Sequence, residues 1–382
     1  MSHPNLRTTA IAALAVSGVL VSGCAKATDS ASSSSTSSTS SSSSGASSAT
    51  SSAASPAASS AAGPASSGAS SSAPPSSADA SAGAMSPTPM TTTPKPLITI
   101  VSKGFQQQFW QAVKKGAESE ANKLGVQITF DGPADETKIE DQINELTQAI
   151  AKKPAAIGFA ALDSKAAAAL MQQAKTQNIP VIAFDSGVDS DVPLTTASTD
   201  NKAAAAVAAK HMSELLGGKG TVALVIHDQT SQSGIQRRDG FIDWMKANAP
   251  GIKLLVPQYG AGDQAKSADI TKSIIAANPD VKGIYGSNEG SAIGVIKGVQ
   301  ESGVKGIKVI GFDSGQAQMD AINSGIEAGA ITQNPVSIGQ KTVDAAVSAL
   351  EGQKLPKNID TGFYWYDKSN INDAKIQELL YK

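Results

Sequence analysis

The chain has 382 residues, more than one typical domain needs, but its composition is too uneven for length alone to set the number of domains. Its formal net charge is −2 and only 4% of its residues are aromatic, which argues against a nucleic-acid partner. Cys24 is the single cysteine, so an intramolecular disulfide framework and a cysteine-rich metal site are excluded. We expect no metal and no cofactor.

The amino terminus has the pattern of a secretory signal followed by a lipidation site. Arg7 precedes an apolar run, about residues 10–21, that is too short for a mature membrane-spanning helix. Val21-Ser22-Gly23-Cys24 resembles the bacterial lipobox, in which the cysteine is diacylated and becomes the new amino terminus. A cleavage site followed by an incidental cysteine is the alternative. We predict a signal peptide over residues 1–23 and stable anchoring through two acyl chains on Cys24.

A low-complexity stretch separates this signal from the rest of the chain. Up to about Pro96 it consists almost entirely of Ser, Ala, Thr, Gly and Pro. Such a composition buries too little apolar surface to offset the entropy of ordering. We therefore predict a lipidated, disordered tether over residues 24–96.

From Leu97 onward, apolar strand-like runs alternate with amphipathic segments, as in βαβ units that build a parallel sheet. The first series comprises predicted strands 97–101, 126–130, 156–159 and 181–184 with helices 106–124, 137–151 and 165–177. A long helix over 201–216 leads into the second series, with strands 221–226, 252–256, 283–285 and 308–312 and helices 235–247, 265–277, 289–301 and 316–323. The pattern predicts two similar α/β lobes.

The end of the chain contains elements beyond these two series. A short strand over 328–332 precedes a helix that opens at Asn334-Pro335 and runs to residue 350, with proline suited to the first helical position. This helix is surplus to the second lobe, so we expect the chain to return and cover the first. We predict a first lobe of residues 97–199 and 335–363 and a second of 200–334 and 364–382.

One motif occurs twice. The run Val181–Gly187 is echoed by Val309–Gly315, and each apolar stretch ends in Phe-Asp-Ser-Gly. In open α/β sheets, ligands bind beyond the carboxyl ends of the strands. Two such ends, far apart in sequence, predict two lobes that face one ligand.

Five strings together resemble the type I periplasmic binding proteins, and the ribose-binding subgroup in particular, over residues 97–367. They are Phe109–Ala117, Ile179–Asp185, Arg237–Phe241, Ser287–Glu289 and Val309–Asp313. The resemblance implies an α/β fold of two doubly wound parallel-sheet lobes joined by crossing strands. It also implies a ligand bound between the lobes.

By this resemblance, one carboxylate of each lobe accepts hydrogen bonds from ligand hydroxyl groups. These carboxylates are Asp185 and Asp313. The alternative is that each only caps a turn or a helix, since Asp-Ser after a strand suits that role. Asp163 in Leu162-Asp163-Ser164 is predicted to be such a cap.

Three further polar residues match ligand positions of the family. Arg237 would neutralise a carboxylate and donate a hydrogen bond to a sugar oxygen. Asn288 would both donate a hydrogen bond to the ligand and accept one from it. Gln333 lies at a crossing between the lobes. Arg237 could instead be helix surface, Asn288 the N-cap of the helix beginning at Glu289, and Gln333 an ordinary loop residue. Asn288 could serve both roles.

The apolar wall for a sugar face would come from the aromatic pair at the start of the first helix. We favour Trp110 as the wall, with Phe109 beside it, because adjacent helix residues point about a third of a turn apart. Gln107 and Ser102, in the preceding loop, could add hydrogen bonds.

Two positions depart from the ribose-binding pattern. Ser186 stands where ribose binders have an arginine, and Gly262 where they have a second-lobe aromatic residue. These changes put ribose in doubt and favour another pentose, a hexose or a sugar alcohol.

We therefore predict a monomeric receptor, lipid-anchored to the outer face of the bacterial plasma membrane, that closes on a sugar or sugar alcohol and delivers it to an ABC permease. A surface receptor that reports a sugar to a signalling system is the alternative. A carbohydrate-active enzyme is disfavoured because His227-Asp228 has no accompanying ligand cluster and no nucleophile elbow or phosphate loop is present. A sugar-responsive repressor would need a basic helix-turn-helix before the first lobe. This chain instead has the predicted signal peptide, lipobox and tether in that place, so a repressor is disfavoured.

Overall fold

The computed structural model describes residues 94–381. The predicted signal peptide, Cys24 and the tether up to residue 93 lie outside the described residues. The strands are β1 Leu97–Val101, β2 Gln127–Asp131, β3 Ala156–Phe159, β4 Val181–Phe184, β5 Thr196–Ser198, β6 Gly220–Ile226, β7 Ile252–Leu254, β8 Gln258–Tyr259, β9 Val281–Gly286, β10 Lys308–Phe312, β11 Glu327–Gln333, β12 Asn358–Asp360 and β13 Phe363–Tyr366. The helices are α1 Gln108–Leu124, α2 Ile139–Ala151, α3 Ala168–Thr176, α4 Asn201–Leu216, α5 Gln232–Asn248, α6 Gln264–Ala277, α7 Glu289–Ser302, α8 Gln316–Ser324, α9 Pro335–Leu350 and α10 Ala374–Gln377.

The strands form two sheets. The first has the order β12-β5-β4-β3-β1-β2 and is parallel throughout. The second has the order β13-β11-β10-β9-β6-β7, in which only β13 runs antiparallel to its neighbour, and β8 pairs with β6. We call each sheet with its packed helices a lobe. The predicted α/β fold with two parallel sheets is confirmed.

Both faces of each sheet are covered by helices, which explains why the central strands are apolar without alternation. In the first lobe, α9 packs beside α1 and adds Ile338 and Val343 to the core, as expected for the surplus helix. Two glycines permit this close packing. A Cβ at Gly116 would lie 2.1 Å from the Val336 carbonyl oxygen, and one at Gly339 would lie 2.0 Å from that of Val113.

The chain passes between the lobes three times. It crosses after β5, after β11 and in the short link from β12 to β13. Near the carboxyl end, the ring of Tyr381 packs into the first-lobe core with its centroid 6.1 Å from that of Phe109. Its hydroxyl accepts a 3.0 Å hydrogen bond from the backbone N–H of Ser314 in the second lobe. The end of the chain thus joins the two lobes beside the crossings.

Several elements differ from the sequence-based expectation. The strands β5, β12 and β13 and helix α10 were not predicted, because they are short and lack clear periodicity. The predicted strand 252–256 ends at Leu254, and Val256 is 79% exposed. No described helix is both long and apolar enough to cross a membrane.

Candidate ligand-binding site

The two repeated aspartates have the same unusual backbone geometry. Asp185 follows β4 with φ +56°, and Asp313 follows β10 with φ +82°. A non-glycine residue in this left-handed region costs roughly 1–2 kcal/mol, and such strain concentrates at functional sites. The backbone N–H of each is held by a neighbouring strand, at Ala197 and Ile331 respectively. Each aspartate therefore makes a sharp turn directly at the end of its strand, and this turn places its carboxylate between the lobes.

A small cavity lies between the lobes at these strand ends. Its lining is predominantly polar and comes from both lobes. The lining residues are Lys103, Gln107, Phe109, Trp110, Glu136, Asp185, His227, Arg237, Asn288, Asp313 and Gln333. All predicted contact residues except Ser102 are included. The hydroxyl of Ser102 instead lies 3.2 Å from the carbonyl oxygens of Gly104 and Asp131, so it stabilises the loop.

The second-lobe side of the cavity is built around Arg237. This buried side chain donates from Nε to Asn201 Oδ1 at 2.7 Å and from Nη1 to the Ser287 carbonyl oxygen at 2.9 Å. Its guanidinium lies 3.8 Å from the centroid of the Phe312 ring, and Nη1 is 4.0 Å from Asp313 Oδ2. Arg237 is therefore a fixed cation of the interior, and the helix-surface alternative does not apply.

Asp313 is held by two donors. Its Oδ1 accepts from Gln333 Nε2 at 2.7 Å and its Oδ2 from the backbone N–H of Glu289 at 2.8 Å. Burial raises the pKa of Asp313, while Arg237 and these two hydrogen bonds oppose the shift. The oxygen of the same Gln333 amide, Oε1, has no hydrogen-bond partner although it is buried. It is a free acceptor at the cavity.

Asn288 caps α7 and also lines the cavity. Its Oδ1 accepts from the backbone N–H of Ser291 at 2.9 Å and so caps α7. Its Nδ2 donates to Glu136 Oε2 of the first lobe at 3.0 Å. The cap fixes the rotamer, and the amide N–H₂ is directed at the cavity lining.

The first-lobe side combines an aromatic wall with an ion pair. The rings of Trp110 and Phe109 are both buried and meet edge to face with centroids 4.9 Å apart. Lys103, which the sequence did not single out, lies with Nζ 3.1 Å from Asp185 Oδ2 and 3.2 Å from Ser233 Oγ of the second lobe. Burial lowers the pKa of Lys103, but the carboxylates of Asp185 and Glu136 more than offset this, so the pKa is raised. A cation thus faces Asp185 even though Ser186 replaces the expected arginine.

His227 reaches the cavity as a neutral group. It is fully buried after β6, and its Nδ1 lies 2.8 Å from Ser287 Oγ. Burial lowers its pKa to about 3. Within residues 94–381, no cluster of three or more His, Cys, Asp or Glu side chains is placed to hold a metal ion. His227 therefore acts as a hydrogen-bonding member of the lining.

Asp163 is the cap that the sequence predicts. Its Oδ1 accepts from the backbone N–H groups of Lys165 and Ala166, both at 2.9 Å. Arg238, next to Arg237 on α5, is partly exposed and donates hydrogen bonds to Asp239 Oδ1 and to the Tyr259 hydroxyl. Neither residue lines the cavity.

The lobes touch each other around the cavity. The carboxylate of Glu289, at the start of α7, accepts from the backbone N–H groups of Gln108 and Phe109 at the start of α1, each at 2.9 Å. On the other side, the Ser164 N–H donates to the Thr230 carbonyl oxygen at 3.2 Å. The structure therefore represents a closed arrangement of the lobes.

Three cavity-lining residues, Lys103, Glu136 and His227, were not predicted to belong to the ligand site. Lys103 and Glu136 follow β1 and β2, so the rule that ligands lie beyond the carboxyl ends of strands was the available signal. His227, which follows β6, was noted only as a weak candidate for a catalytic base or metal ligand. Nothing in the local residue pattern shows that these three loops meet.

Two parallel-sheet lobes closed over a polar cavity define a two-lobed α/β ligand-binding protein. A family model described as the periplasmic binding protein domain matches residues 98–354. The chain belongs to the periplasmic binding protein family, and the predicted resemblance to its type I, sugar-binding branch is confirmed.

Individual relatives agree with this assignment. The D-allose-binding periplasmic protein of Escherichia coli is 28% identical over 265 residues, which are 67% of this chain and 85% of that protein. The ribose import binding protein of the same organism is 27% identical over 266 residues, or 68% and 87% of the two chains. A solute-binding protein of an ABC transporter from Agrobacterium vitis, solved with bound D-fucose, superposes with a TM-score of 0.72 at 34% identity and covers 75% of this chain and 100% of that chain.

Proposed function

We propose that this chain is the extracytoplasmic receptor of an ABC importer and that it binds a neutral monosaccharide or sugar alcohol between its lobes. The relatives are named as a D-allose-binding periplasmic protein, a ribose import binding protein and an ABC transporter solute-binding protein with bound D-fucose. The observation that carries the proposal is the meeting of Asp185 and Asp313, one from each lobe, at a single cavity. The prediction of a binding protein instead of an enzyme is confirmed by the family.

The chemistry of the lining suits a polyhydroxylated ligand. Asp185, Asp313 and the free oxygen of Gln333 supply acceptors, while Lys103 and Arg237 supply donors. Trp110 and Phe109 supply an apolar surface for C–H groups. Each hydroxyl of a sugar can both donate and accept, so it can match such a mixed lining.

The charge of the lining favours a neutral ligand. Three carboxylates, Asp185, Asp313 and Glu136, face two cations, Lys103 and Arg237. A sugar acid or a sugar phosphate would add a further negative charge to a buried site that already has an excess of acidic groups. We therefore propose uncharged sugars and sugar alcohols as the ligand class.

A ligand that contacts both lobes at once would favour the closed state by its differential affinity for that state. We propose a first lobe of residues 97–199 and 335–362 and a second lobe of residues 200–334 and 363–382, since Phe363 begins β13 of the second sheet. The permease would then recognise the closed receptor.

We also propose that Cys24 carries the lipid that holds the protein at the outer face of the plasma membrane. The supporting observation is the small-residue sequence before this single cysteine. Replacement Cys24→Ser is expected to move the protein from the membrane fraction to the soluble fraction of bacterial cells. Continued membrane association of Cys24→Ser would contradict the proposal.

The ligand class is tested by thermal unfolding of the chain from residue 24 with Cys24→Ser. The compounds are D-ribose, D-allose, D-arabinose, D-fucose, ribitol and xylitol, with gluconate as an anionic comparison. A sugar present at 100 times its Kd should stabilise the folded state by about 2.7 kcal/mol. If no neutral compound raises the melting temperature, or if gluconate alone does, the proposed function is wrong.

A further inference from the structure

Gly262 stands where the resemblance predicts a second aromatic wall, and its surroundings show what occupies that space. A Cβ added at Gly262 would lie 2.5 Å from Glu136 Oε2, 3.2 Å from Asn288 Nδ2 and 3.4 Å from Gln107 Nε2. A side chain there would therefore collide with the Glu136 carboxylate, which comes from the opposite lobe. Position 262 is filled by a polar group of another loop and is not simply open.

The Glu136 carboxylate is held in this place from two sides. Its Oε1 accepts from Trp110 Nε1 at 3.0 Å, and its Oε2 accepts from Asn288 Nδ2 at 3.0 Å. Both partners are themselves cavity residues. An ionised carboxylate offers about four acceptor positions, so these two hydrogen bonds leave about two available. Burial raises the pKa of Glu136, and the nearby ammonium group of Lys103 partly opposes this shift.

We infer that Glu136 is a specificity-determining residue that reads a hydroxyl group of the ligand at the place where a second aromatic ring would otherwise pack. The inference rests on the proposed function and deepens it. A ring at position 262 would favour a C–H face, whereas a carboxylate favours a hydroxyl donor. The ligand class is therefore a polyhydroxylated compound with one apolar face, against Trp110, and a hydroxyl directed at Glu136.

The test uses whichever of D-ribose, D-allose, D-arabinose and D-fucose binds most tightly, together with its monodeoxy derivatives. Affinities are measured by calorimetry for the wild type, Glu136→Leu and Glu136→Gln. Loss of a hydroxyl bonded to a charged acceptor should weaken wild-type binding by about 10-fold or more. At one ring position this penalty should fall below about 3-fold in Glu136→Leu and be reduced in Glu136→Gln, while the penalties at other positions persist.

A purely structural role would change all affinities alike and leave the pattern of deoxy penalties intact. The matched control is Glu140→Leu, an exposed glutamate on α2, which should leave every affinity unchanged. If the penalties are the same in wild type and in both Glu136 variants, the inference is wrong although the proposed function stands. If the wild type binds ribitol or xylitol but none of the four sugars, the inference is wrong; if it binds none of these six neutral compounds, the proposed function fails as well.

Discussion

Asp163 and Asp185 share an Asp-Ser sequence after a buried strand, yet they differ in environment. Asp163 is partly exposed and bonds only to its own turn. Asp185 is 4% exposed, has φ +56° and faces Lys103 across 3.1 Å. The same local motif therefore serves as a cap in one place and as a cavity wall in the other.

Replacing Asp185 and Asp163 in turn should distinguish the role in ligand binding from the role as a cap. We expect Asp185→Ala to abolish the thermal stabilisation by sugar, because it removes an acceptor and leaves the Lys103 ammonium buried without its partner. Asp163→Ala, the matched control, should cost about 1 kcal/mol of stability as a lost cap and leave the sugar-induced shift intact. An undiminished shift in Asp185→Ala would remove Asp185 from the binding site.

The glycine at 262 offers a second comparison at the scale of one residue. Gly262 and Gly125 have nearly equal φ values, +66° and +69°, but a Cβ at Gly125 meets nothing within 4 Å. Alanine at either position should cost about 1–2 kcal/mol of stability through backbone strain. Only Gly262→Ala should also weaken sugar binding, because its Cβ displaces the Glu136 carboxylate. Equal sugar affinities in the two variants, measured by calorimetry, would contradict this.

The sequence predicts the site residues that follow a recognisable strand. Asp185 and Asp313 were found because each ends an apolar run, and Arg237 and Asn288 because their neighbours match a family string. Lys103 and Glu136 were not found, since their place in the cavity depends on how two loops fold back toward the opposite lobe. No local residue pattern predicts how close these two loops come to the opposite lobe.

At the scale of elements, the lobes are connected through the beginnings of two helices. The Glu289 carboxylate at the start of α7 accepts both backbone N–H groups at the start of α1. The positive end of a helix dipole favours an anion at this point. Burial nevertheless raises the pKa of Glu289 to about 7, and the hydrogen bonds from Gln108 and Phe109 only partly offset this. Closing or folding therefore takes up a proton near neutral pH.

This pKa predicts the direction of a pH effect. Because the pKa is about 7 in the closed protein and 4.5 is the ordinary value, the contribution of Glu289 to stability is present at low pH and is lost as pH rises through about 7. Between pH 5 and pH 8 the loss should be roughly 2–3 kcal/mol. Denaturant unfolding should show a smaller pH dependence in Glu289→Gln than in the wild type.

The comparison isolates one group, since Asp313 and Glu136, whose pKa values are also raised, remain in both proteins. Glu118→Gln on the exposed face of α1 is the control and should keep the wild-type pH dependence. A pH dependence that is unchanged in Glu289→Gln would show that this contact does not titrate in that range.

Element boundaries show where the sequence was sufficient. Strands β1, β3, β4 and β10 were predicted at their observed bounds, because a short, largely apolar run is typical of a strand buried on both faces. The three-residue strands β5 and β12 were missed, since they are defined by pairing with neighbouring strands and not by their own composition. Tertiary pairing decides such segments.

For the whole molecule, the contacts between lobes predict how shape depends on ligand. The closed arrangement leaves Gln333 Oε1 buried without a hydrogen-bond partner, which costs free energy that a bound sugar can recover. We expect the ligand-free protein to open in solution, and addition of a binding sugar to lower the radius of gyration measured by small-angle X-ray scattering. Asp313→Ala is the control and should show no compaction. A radius that does not respond to sugar would contradict hinge closure.

The position of Tyr381 has a practical consequence for building a fluorescent sugar sensor from this protein. Its hydroxyl is bonded to the residue after Asp313, and its ring contacts the aromatic wall. A reporter protein fused directly to the carboxyl terminus would shift the Tyr381 side chain and thereby disturb the ligand site. The reporter should instead be attached before Pro94, where residues 94–96 are exposed.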